Sequence, residues 1–232
     1  MTEIRGLLFD KDGTLFDFHR TWTPIMGEVA EEIAGAPMMP RLLAAIGYRE
    51  ASGRFEAGSI GAAGNTFELA DTWLALLGGG DREAMVERLD CHFTRLGPLR
   101  SVPVTDLAIF FSGLKQRGYT LGIATNDVEA SALGTIERFG LQKAVDFAVG
   151  YDSGHGAKPG PGMALAFCAA TGLAPAEIAV IGDNSHDLDM GRSAGAGLLV
   201  GVLTGASGRD DLAPLADHVI ENIEMLPALL GN

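Results

Sequence analysis

Residues 4–17 read IRGLLFDKDGTLFD, and this stretch decides the fold. Its first half is a short apolar run of the kind that forms a buried strand. The run ends in the carboxylate of Asp10, and Asp12 follows two residues later, so both acidic groups leave the strand at the same end. Gly13 then lets the backbone turn tightly beneath them. The stretch predicts a strand that delivers two carboxylates to the edge of a sheet.

Strand-like and helix-like segments alternate over much of the remaining chain, which is typical of a parallel sheet. Further strands are expected at Tyr119–Thr125, Val145–Gly150, Ile178–Gly182 and Leu198–Val202. The helical patterns between them cover 106–117, 128–139, 162–171 and 186–194. We therefore predict an α/β fold with a Rossmann-like parallel sheet and helices on both faces. In such sheets ligands bind at the carboxyl ends of the strands.

Residues 18–99 interrupt this alternation, because they show helix-like segments and no clear strand. The helical patterns lie at Thr21–Ala34, Met39–Ser52, Asn65–Leu77 and Arg82–Arg95. We predict that residues 18–99 form an inserted α-helical cap domain on an α/β core of residues 1–17 and 100–232. The hinges are expected near 16–19 and 97–103. The alternative is a set of extra helices packed flat on the core.

Composition and charge restrict the partners. The chain has 232 residues, 47% of them hydrophobic, and a formal net charge of −13. Such a surface repels nucleic acid and acidic membranes, so neither is an expected partner. No apolar run reaches membrane-spanning length, and the N-terminus lacks a signal-peptide pattern, which predicts a cytoplasmic protein. The sequence does not indicate an oligomeric state.

Two polar groups in later segments are candidates for phosphate binding. Thr125 and Asn126 end the strand YTLGIAT and precede a helix, where a hydroxyl, an amide and helix-terminal N–H groups can hold phosphate oxygens. An ordinary helix N-cap explains them equally well. Lys158 lies in the stiff loop GAKPGP and is one of four lysines. Its ammonium group could neutralise a phosphoryl group, although an isolated lysine is usually only solvated.

Asp183 and Asp187 follow the strand IAVIG in the sequence GDNSHD. Two carboxylates at this junction, together with those of the first strand, suit Mg²⁺, which prefers oxygen ligands and keeps several waters. Capping of the next helix by Asp183 or Ser185 is a compatible alternative. The sequence therefore predicts a magnesium site assembled from several strand ends.

The four motifs, in this order, resemble those of the haloacid dehalogenase superfamily, whose members are mostly phosphatases. FDKDGTLFD and GDNSHDLDMGRSAGAG carry most of this resemblance, which covers residues 4–17 and about 100–225. The helical insert after the first motif, GYTLGIATND and DSGHGAKPGPG resemble the phosphoglycolate-phosphatase-like branch.

The resemblance implies a role for each matching residue. Asp10 resembles the nucleophile, which also binds the metal, and Asp12 resembles the general acid/base, which lends its backbone carbonyl to the metal. Thr125 and Asn126 resemble phosphate-binding groups, and Lys158 resembles the charge-neutralising lysine. Asp183 and Asp187 resemble the remaining magnesium-binding carboxylates.

The activity implied is Mg²⁺-dependent hydrolysis of a small phosphorylated metabolite through an aspartyl-phosphate. A sugar phosphomutase of the same superfamily would use the same residues and remains an alternative. A catalytically silent binding or regulatory protein is the non-enzyme alternative, although such a protein is expected to lose a catalytic group. Lys11 stands where the family usually has an apolar residue, and we expect it to point away from the site. The arginines of residues 18–99 are candidates to meet a substrate carboxylate, and the sequence does not single one out.

Overall fold

The computed structural model describes residues 3–231, which contain eight strands, eleven α-helices and two short 3₁₀-helices. The strands are β1 (Gly6–Phe9), β2 (Tyr48–Arg49), β3 (Arg54–Phe55), β4 (Thr120–Ala124), β5 (Phe147–Val149), β6 (Ile178–Gly182), β7 (Leu198–Val202) and β8 (His218–Ile220). The helices are α1 (Phe18–Ala34), α2 (Met39–Ala45), α3 (Ile60–Ala63), α4 (Thr66–Leu77), α5 (Arg82–Arg100), α6 (Leu107–Gln116), α7 (Glu129–Arg138), α8 (Gly162–Thr171), α9 (Ser185–Ala194), α10 (Arg209–Leu212) and α11 (Leu226–Leu229).

Six strands form one parallel sheet in the order β5-β4-β1-β6-β7-β8. Alternate residues of β1 point to opposite faces, as the pleat requires. Leu7 and Phe9 pack with the α6 side of the core, whereas Leu8 packs with α8 on the other side. The predicted α/β class is confirmed, and all five predicted strands are present. Strand β8 was not predicted, because it has three residues and only Ile220 is buried.

The segment between β1 and α6 has its own hydrophobic cluster. Its fully buried members all lie between Phe18 and Leu96, and they come mainly from α1, α2, α4 and α5. The expectation that this segment holds no strand is wrong, since β2 and β3 form a short antiparallel hairpin. The predicted helix Met39–Ser52 ends at Ala45, because Gly47 takes a left-handed φ of 95° and turns the chain into the hairpin.

Helix α5 extends past the predicted end of the insert. Gly97 and Pro98 lie inside the helix, which continues to Arg100. Gly97 packs closely on α7, where a side-chain carbon at this position would come within 2.5 Å of Ser131 Oγ. The α5 end of the predicted hinge therefore starts in a packed helix. The division into residues 1–17 and 100–232 against residues 18–99 stays a prediction.

Candidate active site

The sheet brings three of the predicted site residues to one edge. Strands β4, β1 and β6 are neighbours and run in the same direction, so the residues that follow them meet there. Asp10 follows β1, Thr125 follows β4 and Asp183 follows β6. All three side chains are buried. Hydrogen bonding between adjacent parallel strands is therefore what assembles the site.

Lys158 ties two of the carboxylates together. Its Nζ lies 2.6 Å from Asp10 Oδ1 and 2.7 Å from Asp187 Oδ1. The lysine is 5% exposed, so these ion pairs are shielded from solvent. Asp187 Oδ2 also accepts the Asn184 N–H at 3.0 Å, as part of the capping box that begins α9. Both oxygens of Asp187 are thus held, which fixes the direction of Lys158.

Asp183 is held by a loop that the sequence reading did not identify. The Ala206 N–H donates to Asp183 Oδ2 at 3.1 Å, and the Thr204 hydroxyl donates to the Gly13 carbonyl at 2.6 Å. Gly13 has a φ of 93°, and a side-chain carbon there would lie 2.4 Å from Asp183 Cγ. Glycine is therefore required at this position both for its conformation and for the close approach.

Thr125 and Asn126 differ in whether their side chains have a hydrogen-bond donor available for a ligand. Thr125 Oγ1 accepts the Asp127 N–H at 3.1 Å, so its own O–H remains available to donate. The Asn126 amide donates to the carbonyls of Ala63 and Lys158, and its oxygen accepts the Lys158 N–H at 2.9 Å. Asn126 thus braces the Lys158 loop, and its binding of phosphate stays a prediction.

The expectation that Lys11 points away from the site is wrong. Lys11 is 1% exposed, and its Nζ lies 2.6 Å from Asp12 Oδ2 and 2.9 Å from Asp127 Oδ2. The ammonium group also lies over the ring of Trp22, 5.6 Å from the centroid. The contact with Asp127 joins residues more than a hundred positions apart, so no local pattern in the sequence indicates it.

Burial dominates the electrostatics of the carboxylates. It raises the pKa of the Asp10 carboxyl to about 7, with Lys158 acting in the opposite direction and Asp187 and Asp12 reinforcing the shift. Burial likewise raises the pKa of Asp183 well above its usual range, and the charges of Asp10 and Asp187 add to it. The pKa of Lys158 is raised as well, because its two carboxylate partners outweigh the cost of burial.

These residues fit a hard divalent cation. Asp10, Asp183 and Asp187 each place a carboxylate oxygen so that all three lie within 4.8 Å of one another. A single lysine faces three buried carboxylates, and a divalent cation would balance this excess and favour the ionised forms. An all-oxygen donor set matches Mg²⁺. Asp12 is outside this group, and its carboxylate pairs with Lys11.

The carboxylates open into a cleft of about 650 Å³, solvent at its mouth included. Two sets of residues line it. The core wall consists of Asp10, Asp12, Thr125, Asn126, Asp127, Lys158, Asp183, Asn184, His186 and Asp187. The insert wall consists of Phe18, Trp22, Met26, Ile60, Gly61, Ala62, Ala63, Gly64, Asn65, Thr66, Leu69 and Phe93. Every predicted site residue is thus at the cleft.

The two walls touch at Ala63. Its carbonyl accepts a hydrogen bond from the Asn126 amide at 3.0 Å and lies 3.2 Å from His186 Nδ1. A second link is made by the Tyr151 hydroxyl, which donates to Asp90 of α5 at 2.6 Å. These contacts hold the insert wall over the carboxylates.

The sequence profile of the haloacid dehalogenase-like hydrolases matches residues 4–195, and the chain belongs to that family. The chain is 26% identical to the phosphoglycolate phosphatase of Aquifex aeolicus over 192 residues, which cover 83% of this chain and 82% of that one. It is 38% identical to the probable phosphatase IndB of Dickeya dadantii over 107 residues. That match spans 46% of each chain, just under half the length of IndB.

The fold is also that of solved structures. A crystal structure from Bacteroides fragilis, assigned to the haloacid dehalogenase-like hydrolases, superposes with a TM-score of 0.74 at 19% identity. It covers 97% of this chain and is itself covered in full. Together these similarities confirm the predicted superfamily, its phosphoglycolate-phosphatase-like branch and the hydrolase class. No helix within residues 3–231 is long and apolar enough to cross a membrane, and the cytoplasmic location stays a prediction.

Proposed function

We propose that the protein is a magnesium-dependent phosphatase that hydrolyses a small phosphate monoester through a phosphoaspartate at Asp10. The observation that carries this proposal is the buried Asp10 carboxylate, paired with Lys158 at 2.6 Å and grouped with Asp183 and Asp187. A nucleophile, a fixed cation and a metal-binding set of oxygens are the parts that phosphoryl transfer needs.

The chain's residues divide the chemistry into two displacements. In the first, an Asp10 oxygen forms a bond to phosphorus, the bond to the leaving oxygen breaks, and Asp12 gives that oxygen a proton. In the second, a water oxygen attacks phosphorus while Asp12 takes its proton, and Asp10 leaves as a carboxylate with inorganic phosphate as the product. Lys158 and the Thr125 hydroxyl bind the phosphoryl oxygens throughout.

Mg²⁺, held by Asp10, Asp183, Asp187 and the Asp12 backbone carbonyl, would supply Lewis-acid stabilisation of the phosphoryl charge. Asp183 supports this assignment, because one of its carboxylate oxygens is free to bind a metal ion. One of its oxygens accepts from Ala206, and no hydrogen bond to the other is found among residues 3–231. Both oxygens of Asp187 accept hydrogen bonds, from Lys158 and from the Asn184 N–H, so Asp183 is the freer of the two carboxylates to bind the metal.

The insert wall supports a small substrate. It closes over the carboxylates, and the Ala63 contacts with Asn126 and His186 hold it there. A site covered in this way excludes bulk water and strengthens the charge interactions around phosphorus. We therefore expect a small ester to reach Asp10 more readily than the surface of a folded phosphoprotein.

The test is phosphate release from a panel of metabolite-sized monoesters and one folded phosphoprotein. Enzyme stripped with EDTA should be silent, and Mg²⁺ should restore turnover of at least one small ester but not of the phosphoprotein. Phosphorus NMR separates hydrolysis from the phosphomutase alternative, since a mutase returns an isomer instead of inorganic phosphate. Full activity in chelator, or preference for the phosphoprotein, would contradict the proposal.

A further inference from the structure

The insert wall presents apolar side chains to the substrate. Its large members are Phe18, Trp22, Met26, Ile60, Leu69 and Phe93. The rings of Trp22 and Phe93 meet edge to face with centroids 5.2 Å apart, so this part of the wall is packed and rigid. A leaving group that binds against this wall loses its contacts with water and gains contacts with apolar side chains.

No lysine or arginine of the insert lines the cleft within residues 3–231. Several of its arginines are engaged elsewhere: Arg49 pairs with Glu56, Arg82 pairs with Asp71, and Arg88 donates to the Glu32 carbonyl. Lys158 is the only such side chain in either wall, and Asp10 and Asp187 already hold it. A carboxylate on the leaving group would therefore find no bidentate partner.

The backbone N–H groups of residues 61–65 in the insert wall offer no anion site either. The N–H groups of Ala62 and Ala63 both donate to the Ser59 carbonyl, and that of Gly61 donates to the Ile46 carbonyl. Those of Gly64 and Asn65 donate to the Ile60 carbonyl and to Glu68 Oε2. Five consecutive N–H donors are thus satisfied within the insert and do not face a ligand.

The donors that remain in the insert wall, such as the side-chain amide of Asn65, are neutral. The indole Nε1 of Trp22 is buried beside the Asp12 carboxyl, where it opposes the rise that burial causes in the pKa of Asp12. Neutral donors of this kind suit a neutral oxygen, whereas a carboxylate would find no cationic partner in the insert wall and would lie beside the five acidic residues of the core wall. Burying an unpaired charge is costly. We infer that the substrate is a phosphate monoester whose leaving group is uncharged and largely apolar, and not phosphoglycolate; this rests on the proposed phosphatase function.

The test compares four phosphate monoesters and the phosphoanhydride pyrophosphate, which differ in the leaving group. Magnesium-loaded enzyme is assayed with butyl phosphate, benzyl phosphate, 2-phosphoglycolate, glucose 6-phosphate and pyrophosphate. Benzyl or butyl phosphate should show a kcat/KM at least about tenfold above that of each charged or polyhydroxylated compound. Binding to Asp10→Asn, measured by calorimetry in Mg²⁺, should follow the same order without turnover.

The outcomes separate the two proposals. If no compound is hydrolysed and Asp10→Asn binds none, the phosphatase function itself fails. If hydrolysis occurs but phosphoglycolate, glucose 6-phosphate or pyrophosphate matches or exceeds the apolar esters, the inference about the leaving group is wrong and the phosphatase function stands.

Lys11 supports a second inference, carried by separate contacts. Its ammonium group joins Asp12 of the first motif to Asp127 of the loop after β4, and it lies over Trp22 of α1. Asp127 is itself fixed, because its Oδ1 accepts the Val128 N–H at 2.8 Å. Lys11 thus anchors Asp12 Oδ2 to a rigid point, and no group in residues 3–231 is hydrogen-bonded to Asp12 Oδ1.

We propose that Lys11 is a positioning residue that aims Asp12 Oδ1 at the oxygen of the leaving group. Lys11→Met keeps the length of the side chain and removes the anchor. Its kcat/KM should fall about 10- to 100-fold for an alkyl phosphate, whose leaving oxygen needs a proton. For p-nitrophenyl phosphate, whose phenolate leaves without one, it should fall less than about threefold.

The ratio kcat/KM covers only the steps up to release of the alcohol, so the shared hydrolysis of the phosphoaspartate does not mask the difference. The double variant Lys11→Met with Asp127→Asn removes the ion pair without a net charge change and should show the same selective loss. Asp127→Asn alone keeps the Lys11–Asp12 pair and should show a smaller one. Equal losses for both substrates in the two Lys11 variants, or no loss, would show a purely structural role.

Discussion

The core wall and the insert wall of the cleft have opposite chemistry although they face the same space. The core wall carries five carboxylates, a buried lysine and the Thr125 hydroxyl, each held by named hydrogen bonds or ion pairs. The insert wall is mostly hydrocarbon, and the backbone N–H groups of its residues 61–65 are satisfied within the insert. We propose that the reaction belongs to the core wall and the choice of substrate to the insert wall, so substitutions in the two walls should affect different kinetic constants.

The largest effect is expected at Asp10. Asp10→Asn keeps the shape of the side chain and removes the nucleophile, so turnover should fall by about 10⁴-fold or more. Acid quench of the native enzyme during turnover, followed by mass spectrometry, should place phosphate on Asp10. Asp189→Asn is the matched control and should remain active, because Asp189 lies in α9 outside the cleft lining and pairs with Arg192. Substantial turnover by a verified Asp10→Asn preparation would falsify the nucleophile assignment.

Lys158 should come next, because it is the only fixed cation of the core wall. Lys158→Met should lower kcat by about 10²–10³-fold, since the phosphoryl charge loses its partner. It should also lower the free energy of unfolding by about 3–5 kcal/mol in the absence of metal, because two buried carboxylates lose theirs.

Lys115→Met is the control for this substitution. Lys115 pairs with Asp146 at 2.7 Å in a partly exposed position, so its removal should cost about 0–1 kcal/mol and leave kcat unchanged. Chemical denaturation and steady-state kinetics check both variants. If the two substitutions changed kcat and the free energy of unfolding by similar amounts, the buried ion pairs of Lys158 would contribute no more than the partly exposed pair of Lys115.

The sequence predicts the polar core wall better than it predicts the apolar insert wall. Asp10, Thr125 and Asp183 were predictable because each ends an apolar run, and parallel pairing places such ends together. The insert wall was not, because Trp22 and Phe93 have the same helical spacing whether they face a cleft or a core. Contacts such as Lys11 with Asp127 depend on how distant segments pack, and no local pattern in the sequence encodes them.

Magnesium should change stability as well as activity. Saturating Mg²⁺ should raise the melting temperature by about 5 °C, because it binds only the folded arrangement of carboxylates. Asp183→Asn keeps an acceptor for the Ala206 N–H and removes one charge from the crowded group. Its melting temperature in EDTA should be at least that of the native protein, and the Mg²⁺-dependent rise should disappear. Differential scanning fluorimetry with and without metal measures both, and an undiminished rise in this variant would remove Asp183 from the metal site.

The smallest effect is expected in the insert wall, and it provides the sharpest comparison with the core wall. Met26 lines the cleft, whereas Leu43 belongs to the same buried cluster without lining it. Met26→Leu and Leu43→Met are volume-conserving exchanges, each expected to cost less than about 1.5 kcal/mol of stability. Met26→Leu should shift KM for the preferred ester by about threefold with kcat unchanged, because it reshapes the contact with the leaving group alone. Leu43→Met should leave both constants unchanged. A fall in kcat for Met26→Leu, or an equal shift in KM for Leu43→Met, would mean that the insert wall does not act on the substrate separately from the chemistry beneath it.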